Sequence, residues 1–177
     1  MYLSRLKPEE IKSLTNWWSR LDKNRGVRAQ LRRASHPDDV LLTDAFYDFL
    51  SHMPSDWASN EQIRLTDAAM VAVILARVEV RDNKSFAKSL ARPKNEGGTK
   101  PVMSGLRFQQ LLKSRSRDDL FKGLCRAIDL LGRKANIESI ADDILLWFSE
   151  TRYGKSSNPM HQLAVRWASD YYINLKD

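Results

Sequence analysis

Residues 65–75 read LTDAAMVAVIL, and they are apolar nearly all round a helix. A helix with one apolar stripe lies on a protein surface, whereas a helix that is apolar all round is enclosed by other elements. We therefore interpret the longer segment Ser59–Val78 as a central core helix. The other helices are expected to pack around it.

Start and stop signals divide the rest of the chain into further helices. A proline next to two acids predicts a helix from about Pro8 to Leu21, and Asn158-Pro159 predicts a last helix that ends near Ile173. The other predicted helices begin near Gly26, Thr43, Ser104, Ser116 and Asn136. No stretch shows sustained strand alternation, and glycine and proline are scarce, with 7 and 6 residues. The pattern predicts an all-α, single-domain helical bundle of about eight or nine helices over residues 1–177.

Two of these helices have clear faces. Ser116 and Asp119 resemble a capping box, and Gly132 is expected to end the helix that follows. The apolar face of that helix should consist of Leu120, Leu124, Ala127, Ile128 and Leu131. The helix after Asn136 should bury Ile137, Ile140, Ala141, Ile144 and Phe148, and should direct Glu138, Asp142 and Asp143 outward. The stretch at about 92–101 lacks apolar periodicity and is bounded by prolines, so it predicts an exposed, mobile loop.

The formal charge of +7 and the pI of about 9.6 favour a polyanionic partner, either nucleic acid or an anionic membrane surface. The first residues lack an apolar run of signal-peptide length, and the longest apolar stretch, Ala68–Ala76, is too short to span a bilayer. Cys125 is the single cysteine, so an internal disulfide is excluded and a reducing compartment fits. We expect a soluble, cytoplasmic protein.

The positive charge is concentrated in three windows, 20–34, 84–100 and 107–126. They hold 17 of the 29 Lys and Arg residues but only 4 of the 22 acids. On a helix through the first window, Arg25, Arg28 and Arg32 share one stripe. Because a guanidinium fork pairs with phosphate oxygens better than an ammonium does, this stripe predicts contact with a nucleic-acid backbone.

The second window places Lys94 and Lys100 on the loop, where a flexible basic arm could follow a strand. The third window clusters cations at the junction before Ser116, where the start of a helix offers free N–H donors to a phosphate. A run of charge is often only a solvated helix face, but three decorative windows are the less favoured interpretation. The candidate nucleic-acid-binding residues are Arg25, Arg28, Arg32, Arg33, Lys88, Lys94, Lys100, Arg107, Lys113, Arg115, Arg117, Lys122 and Arg126.

Catalytic patterns are absent from the sequence. His36, His52 and His161 have no spacing that would pair two of them as metal ligands. The adjacent acids of Asp38-Asp39 and Asp142-Asp143 diverge by about 100° on a helix, which makes them weak candidates for acid–base work. Cys125 lies in mid-helix at the edge of an apolar face, as an inert thiol would. We predict a protein that is not an enzyme and that needs no cofactor and no metal.

Several segments, in this order and at this spacing, resemble the CasB family, the small subunit of the type I-E CRISPR complex known as Cascade. The segments are Trp17–Leu21, Gly26–Ala34, Ala45–Tyr47, Ser85–Leu90, Ser104–Leu112 and Ala141–Trp147. The resemblance spans nearly the whole chain. It implies an all-α protein without catalytic activity, present in two copies that pack head to tail along the complex.

The resemblance also implies a set of partners and a function. The partners would be the guide RNA, the target and displaced DNA strands, the backbone subunits, the large subunit and a second copy of the chain, with no membrane. Because an RNA–DNA duplex is about as stable as the DNA duplex that it replaces, added contacts to the strand backbones would favour the open R-loop. The cations within the matching segments and directly after Ser104–Leu112 would make these contacts. These are Arg28, Arg32, Arg33, Lys88, Arg107, Lys113, Arg115 and Arg117.

Two other functions remain open on the residues alone. A free-standing helical DNA-binding regulator would need a recognition helix with exposed base-reading residues, and no helix has that pattern. A basic protein–protein adaptor would instead place its cations against an acidic partner. Salt separates these alternatives from backbone binding, which weakens steeply as salt rises.

Overall fold

The computed structural model describes residues 4–59 and 63–175, and helices account for most of them. The all-α prediction is confirmed, and eight of the helices in these ranges have seven or more residues. The α-helices are α1 (Pro8–Arg20), α2 (Arg25–Arg32), α3 (Asp44–His52), α4 (Asp56–Ser59), α5 (Leu65–Leu75), α6 (Phe86–Ala91), α7 (Gly105–Leu112), α8 (Arg117–Leu130), α9 (Ile137–Tyr153) and α10 (Leu163–Asn174).

Short elements connect these helices. Two 3-10 helices, Pro37–Leu42 and Pro159–His161, lie before α3 and α10. Two strands of two residues each, β1 (Val80–Arg81) and β2 (Lys134–Ala135), pair in parallel and join the ends of α5 and α8. No helix in the described ranges is long and apolar enough to cross a membrane.

The central helix α5 lies where the sequence predicted it, but it begins later. Every residue from Asp67 to Ala76 is buried. The predicted start at Ser59 was wrong, because Ser59 ends α4 and a new helix begins after Arg64. Asp67 fixes that start, since its Oδ2 accepts the Arg64 N–H at 3.2 Å. The predicted residues Asn60–Gln62 lie outside the described residues.

The other helices surround α5 in two groups. The 3-10 helix Pro37–Leu42, α2, α3, α4, α8 and α9 contact α5, whereas α10 packs on α6, α7 and α9. The buried side chains of both groups form one contiguous cluster, in which α9 contacts α5 on one side and α10 on the other. The helices that carry the cations are thereby held at fixed positions on this core.

The cap signals of α8 and α9 were predicted correctly. Ser116 Oγ accepts the N–H of Asp119 at 3.1 Å, and Asn136 Oδ1 accepts that of Ser139 at 3.0 Å. Gly132 adopts a φ of 64° directly after α8, in the left-handed region that favours glycine. The predicted apolar faces of both helices are buried.

The outward placement of Asp142 and Asp143 was wrong, because both carboxylates are buried between α9, α10 and the N-terminal segment. Asp142 Oδ1 accepts the backbone N–H groups of Arg5 at 2.5 Å and Leu6 at 3.0 Å. Asp143 Oδ2 accepts the indole N–H of Trp167 at 2.8 Å. Burial raises the pKa of Asp143 to about 7. The partners lie more than 20 residues away in sequence, so periodicity alone could not identify them.

The loop at about 92–101 is exposed, as predicted, and its base is paired. Pro93 and Pro101 form an antiparallel bridge, and the Lys94 N–H donates to the Lys100 carbonyl at 2.8 Å. The side chains of Lys94 and Lys100 therefore leave the same closed hairpin and point to solvent.

Candidate nucleic-acid interface

The third window of cations forms a cleft between α7 and α8. Arg107 and Lys113 reach it from α7 and its C-terminal cap, and Lys122 and Arg126 reach it from α8. All four side chains are exposed, and none forms an ion pair with a described residue. We call this site the α7–α8 cleft. Its lining residues are Met103, Arg107, Gln110, Leu111, Lys113, Ser114, Asp119, Lys122, Gly123 and Arg126.

The floor of the cleft depends on a close approach of its two helices. A Cβ on Gly123 would lie 2.7 Å from Leu111 Cδ1, so a side chain at this position would displace the Leu111 side chain. Leu111 is buried beneath the cleft. Lys122 and Arg126 lie at i and i+4 on α8, so both side chains leave the same face of that helix. The four cations consequently converge above a narrow, partly apolar floor.

The first window forms a second concave surface beside α2. It is lined by Arg25, Arg28, Ala29, Arg32, Arg33 and Glu79, and we call it the α2 groove. Leu31 and Ala34 are buried on the opposite side of α2, as the predicted division into a core face and an arginine face requires. The structure therefore brings four predicted residues together here and four others in the α7–α8 cleft.

The two sites differ in how far their cations are already paired. In the α2 groove, Arg28 Nη1 lies 2.8 Å from Asp22 Oδ1, and the Arg28 side chain is only 12% exposed. Arg32 Nη1 lies 3.0 Å from Glu79 Oε1. Of the six residues that line the groove, Arg25 and Arg33 are the exposed cations without an ion pair to a described residue. The acid that contacts Arg32 comes from the end of α5, far from α2 in sequence.

Arg133 extends the α2 groove and was missed by the sequence reasoning. Its Nη1 lies 2.8 Å from the same Glu79 Oε1 that binds Arg32. The two guanidinium groups hold the pKa of Glu79 below its usual range, with the hydrogen bond from Arg133 as the larger cause. No helical spacing indicates Arg133 in the sequence, because it lies beyond the end of α8 and adopts a left-handed φ of 61°.

The C-terminal part of α8 and the turn that follows it connect the two sites. Arg126 lines the α7–α8 cleft, and Arg133 reaches the α2 groove through Glu79. Arg133 is not part of the helix, because α8 ends at Leu130 and both Gly132 and Arg133 adopt left-handed φ values, 64° and 61°. Asp129 lies between them, and its Oδ1 is 3.9 Å from Arg133 Nε. α8 and its C-terminal turn thus link the cleft to the groove.

Arg77 is a second residue that the sequence reasoning missed. Its Nη2 donates to the carbonyls of Arg32 at 3.0 Å and Ala34 at 3.1 Å, at the C-terminal end of α2. Its guanidinium also lies 5.5 Å from the ring centroid of Phe121 on α8. Because the last carbonyls of a helix have no partner within that helix, Arg77 satisfies them and sets the position of α2 against α8.

Other predicted residues lie outside both sites. Arg117 forms an ion pair with Asp38, and His36 Nδ1 lies 3.3 Å from Asp118 Oδ1, so the start of α8 is bound to the 3-10 helix before α3. The first turn of α8 also carries Asp119, which disfavours the phosphate predicted there. Arg115, Lys88, Lys94 and Lys100 are exposed and line neither concave surface.

The described ranges contain no cluster of metal ligands. No group of three or more His, Cys, Asp or Glu side chains there could hold a metal ion. Cys125 is partly buried, and burial raises its pKa to about 11, so the thiol stays protonated at neutral pH. This environment agrees with the prediction that the Cys125 thiol is inert.

Together, the fold and the site define an all-helical protein with a two-part basic surface. The family model of CRISPR-associated protein Cse2 matches residues 27–172. The chain belongs to this family, which is the CasB family that the sequence resembles. Members are structural, generally non-catalytic proteins, and this chain is a small subunit of a type I-E CRISPR Cascade complex. No curated protein and no solved structure matched the chain.

Proposed function

We propose that this subunit binds the sugar–phosphate backbones of nucleic acid in Cascade, without sequence specificity and without catalysis, and that it stabilises the R-loop. The observation that carries the proposal is the convergence of Arg107, Lys113, Lys122 and Arg126 in the α7–α8 cleft. Each of these cations is exposed and has no ion pair with a described residue, so each is available to a phosphate. Family membership supplies the complex in which the guide RNA and both DNA strands lie close by.

Backbone binding fits the composition of the cleft better than base reading does. Base reading requires an element that enters a groove and presents hydrogen-bonding side chains to base edges. The α7–α8 cleft instead presents positive side chains around a shallow floor, and Gln110 is the single amide among its lining residues. Sequence would then be read by pairing with the guide, and this subunit would contribute favourable backbone contacts to a nearly balanced exchange of duplexes.

We extend the proposal to the domain organisation, the compartment and the partners of the chain. The chain acts as one domain in the cytoplasm, and its partners are the backbone subunits, the large subunit and a second copy of itself. The exposed cations of the 92–101 hairpin, Lys94 and Lys100, form an outer part of the contact surface. The α2 groove is a weaker part, since two of its arginines already bind carboxylates.

Charge reversal of the whole cleft tests the proposal. The variant Arg107→Glu/Lys113→Glu/Lys122→Glu/Arg126→Glu should lose nearly all affinity for single-stranded and duplex DNA, and Cascade that contains it should form fewer R-loops. Fluorescence anisotropy on the isolated chain and R-loop footprinting on the complex measure these effects. Each phosphate contact contributes about 0.9 to the log–log salt slope on duplex DNA, so the slope should fall by about three to four.

A matched control carries the same kind of charge change elsewhere. Lys12 and Lys155 are exposed, lie outside the three windows and line neither the cleft nor the groove. The variant Lys12→Glu/Lys155→Glu should keep most of the affinity and of the salt slope. Equal losses per reversed charge in the two variants would show only a response to net charge and would refute the α7–α8 cleft as the site.

A further inference from the structure

An acidic segment lies between the first and second basic windows. Residues 34–63 contain six acids and no Lys or Arg, so the segment is the negative counterpart of the basic surface. Its described part contains the 3-10 helix Pro37–Leu42, α3 and α4. Leu42 is 97% exposed there, the highest exposure of any large apolar side chain among the described residues.

Leu42 occupies a position where an apolar residue usually has a partner. Thr43 is the N-cap of α3, so Leu42 is the residue before the cap, and Tyr47 is at the fourth helical position. Apolar residues at these two positions commonly pack together as a hydrophobic staple. An exposure of 97% leaves Leu42 without that packing, and Tyr47 is itself 51% exposed.

The local structure fixes the backbone at Leu42 and the ring of Tyr47. Thr43 Oγ1 donates to the Val40 carbonyl at 2.7 Å and accepts the Phe46 N–H at 3.4 Å, which fixes the turn that carries Leu42. The Tyr47 ring packs edge-on against buried Phe46, with 5.4 Å between ring centroids. A fixed backbone at Leu42 and a packed Tyr47 ring lower the conformational entropy that is lost when a partner covers these residues.

Carboxylates flank this pair along the chain. Asp44 is exposed in the first turn of α3, and Asp48 follows one turn later with its side chain 38% exposed. Asp39 accepts the backbone N–H groups of Ser35 and His36, and the hydrogen bond from His36 is the main cause that lowers its pKa, so it remains ionised. These charges repel phosphate and attract Lys and Arg.

We propose that Leu42 and Tyr47, with the neighbouring carboxylates of Asp39, Asp44 and Asp48, form a docking site for another protein subunit of Cascade whose apolar contact residue is flanked by Lys or Arg. The inference rests on the proposed function in one respect: the basic surface of a second copy is engaged with nucleic acid and is not free to cover this face. Charge complementarity therefore selects a basic surface on a different protein chain.

Site-specific cross-linking in the intact complex tests the occupant. A photoreactive amino acid replaces Leu42 in reconstituted Cascade, and mass spectrometry identifies the cross-linked product. The expected product is a peptide of a different protein subunit with Lys or Arg within a few residues of the cross-link. A product with nucleic acid, with a second copy of this chain or with an acidic peptide would overturn the proposal, and so would a yield no higher than from a probe at exposed Ile173.

Charge reversal tests the carboxylates separately. Asp44→Lys/Asp48→Lys should weaken the incorporation of the subunit into Cascade by about tenfold at low salt, measured as subunit occupancy by native mass spectrometry. The control Glu9→Lys/Glu96→Lys changes two exposed acids outside the segment and should leave occupancy within about twofold of the unmodified chain. Unchanged occupancy in the Asp44/Asp48 variant would contradict the proposed docking site.

The two proposals fail in different experiments. The Asp44→Lys/Asp48→Lys chain should fold with unchanged helicity, and its isolated form should bind DNA at least as tightly as the unmodified chain. A loss of incorporation with intact DNA binding supports the docking site whatever the outcome at the α7–α8 cleft. Loss of DNA binding in cleft variants that still enter Cascade concerns the proposed function alone.

Discussion

The α7–α8 cleft and the α2 groove carry the same kind of residue in different electrostatic states. The four cations of the cleft form no ion pair with a described residue, and Asp119 is the single acid among its lining residues. In the α2 groove, Arg28 binds Asp22, and Arg32 shares Glu79 with Arg133. The number of cations in a stretch of sequence therefore shows how many phosphate contacts are possible. Whether each cation is available to a phosphate depends on the carboxylates that the fold brings to it.

The ion pairs of the α2 groove lower the affinity that its cations can contribute to nucleic-acid binding. A free surface cation that meets a phosphate releases condensed counterions from the nucleic acid, and this release drives association. A cation already bound to a carboxylate must first break that contact, or else the complex keeps a negative charge next to the phosphate. The α7–α8 cleft should accordingly contribute more affinity per residue than the α2 groove.

The largest expected effect is the difference between two double variants. Lys122→Ala/Arg126→Ala in the cleft should lower DNA affinity on the order of a hundredfold at low salt and reduce the log–log salt slope by about two. Arg28→Ala/Arg32→Ala in the groove should lower affinity only a few-fold. Titrations at several salt concentrations, with anisotropy as the readout, measure both quantities.

The groove variant, which should lose less DNA affinity than the cleft variant, should lose more protein stability. Arg28 is largely buried and donates to Asp22 and to the Val78 carbonyl, so the groove variant should lose about 1–2 kcal/mol of unfolding free energy. The exposed cleft residues should change that free energy by less than about 0.5 kcal/mol. Equal salt slopes for the two double variants would remove the distinction between cleft and groove.

The sequence predicted the helices and most of the cations, because both depend on local information. Periodicity, caps and prolines placed α1, α3, α8 and α9 close to their observed bounds, and the apolar face of α8 was correct. It could not predict that Asp142 and Asp143 would be buried, since their partners come from the N-terminal segment and from α10. Helical periodicity assigns a polar residue to the solvent-facing side of a helix, because a partner that is distant in sequence leaves no mark in the periodic pattern.

The candidate site was predictable to the same extent. The three windows of the sequence predicted eight of the cations that line the cleft or the groove. The pairing of Arg32 with Glu79 joins positions 47 residues apart, and the roles of Arg77 and Arg133 depend on how the ends of α5 and α8 meet. Tertiary contacts of this kind leave no pattern in a single sequence.

A substitution at Arg77 should have the next largest effect. Arg77→Met keeps an apolar stem over Phe121 but leaves the Arg32 and Ala34 carbonyls without their donor, which should cost about 1–3 kcal/mol of unfolding free energy. DNA affinity should fall a few-fold, since α2 loses its fixed position while the α7–α8 cleft is untouched. Denaturant unfolding and anisotropy provide the two measurements.

A conservative variant distinguishes positioning from direct contact at Arg77. Arg77→Lys retains the charge and one donor, so it should recover part of the lost stability and of the lost affinity together. A role in phosphate contact predicts a different pattern, in which affinity and salt slope fall in Arg77→Met without any loss of stability. That pattern would refute the positioning role and would assign Arg77 to the basic surface itself.

The smallest expected effect is a gain. Glu79→Gln removes the carboxylate that Arg32 and Arg133 share, so two cations of the α2 groove become available, and DNA affinity should rise about threefold. Stability should also change its pH dependence. The pKa of Glu79 is lowered in the folded chain, mainly by the hydrogen bond from Arg133, so the stabilisation is present above the unfolded value of 4.5 and is lost as pH falls through the folded value.

The glutamine variant lacks this titration, so its unfolding free energy should fall less between pH 5 and pH 3 than that of the unmodified chain. Asp22→Asn is the matched control, because it frees Arg28, which stays largely buried and cannot reach a phosphate as easily. It should raise affinity less than Glu79→Gln does. A fall in affinity for Glu79→Gln would mean that the carboxylate orients Arg32 and Arg133 toward the nucleic acid rather than competing with it, and the α2 groove would then equal the α7–α8 cleft in importance.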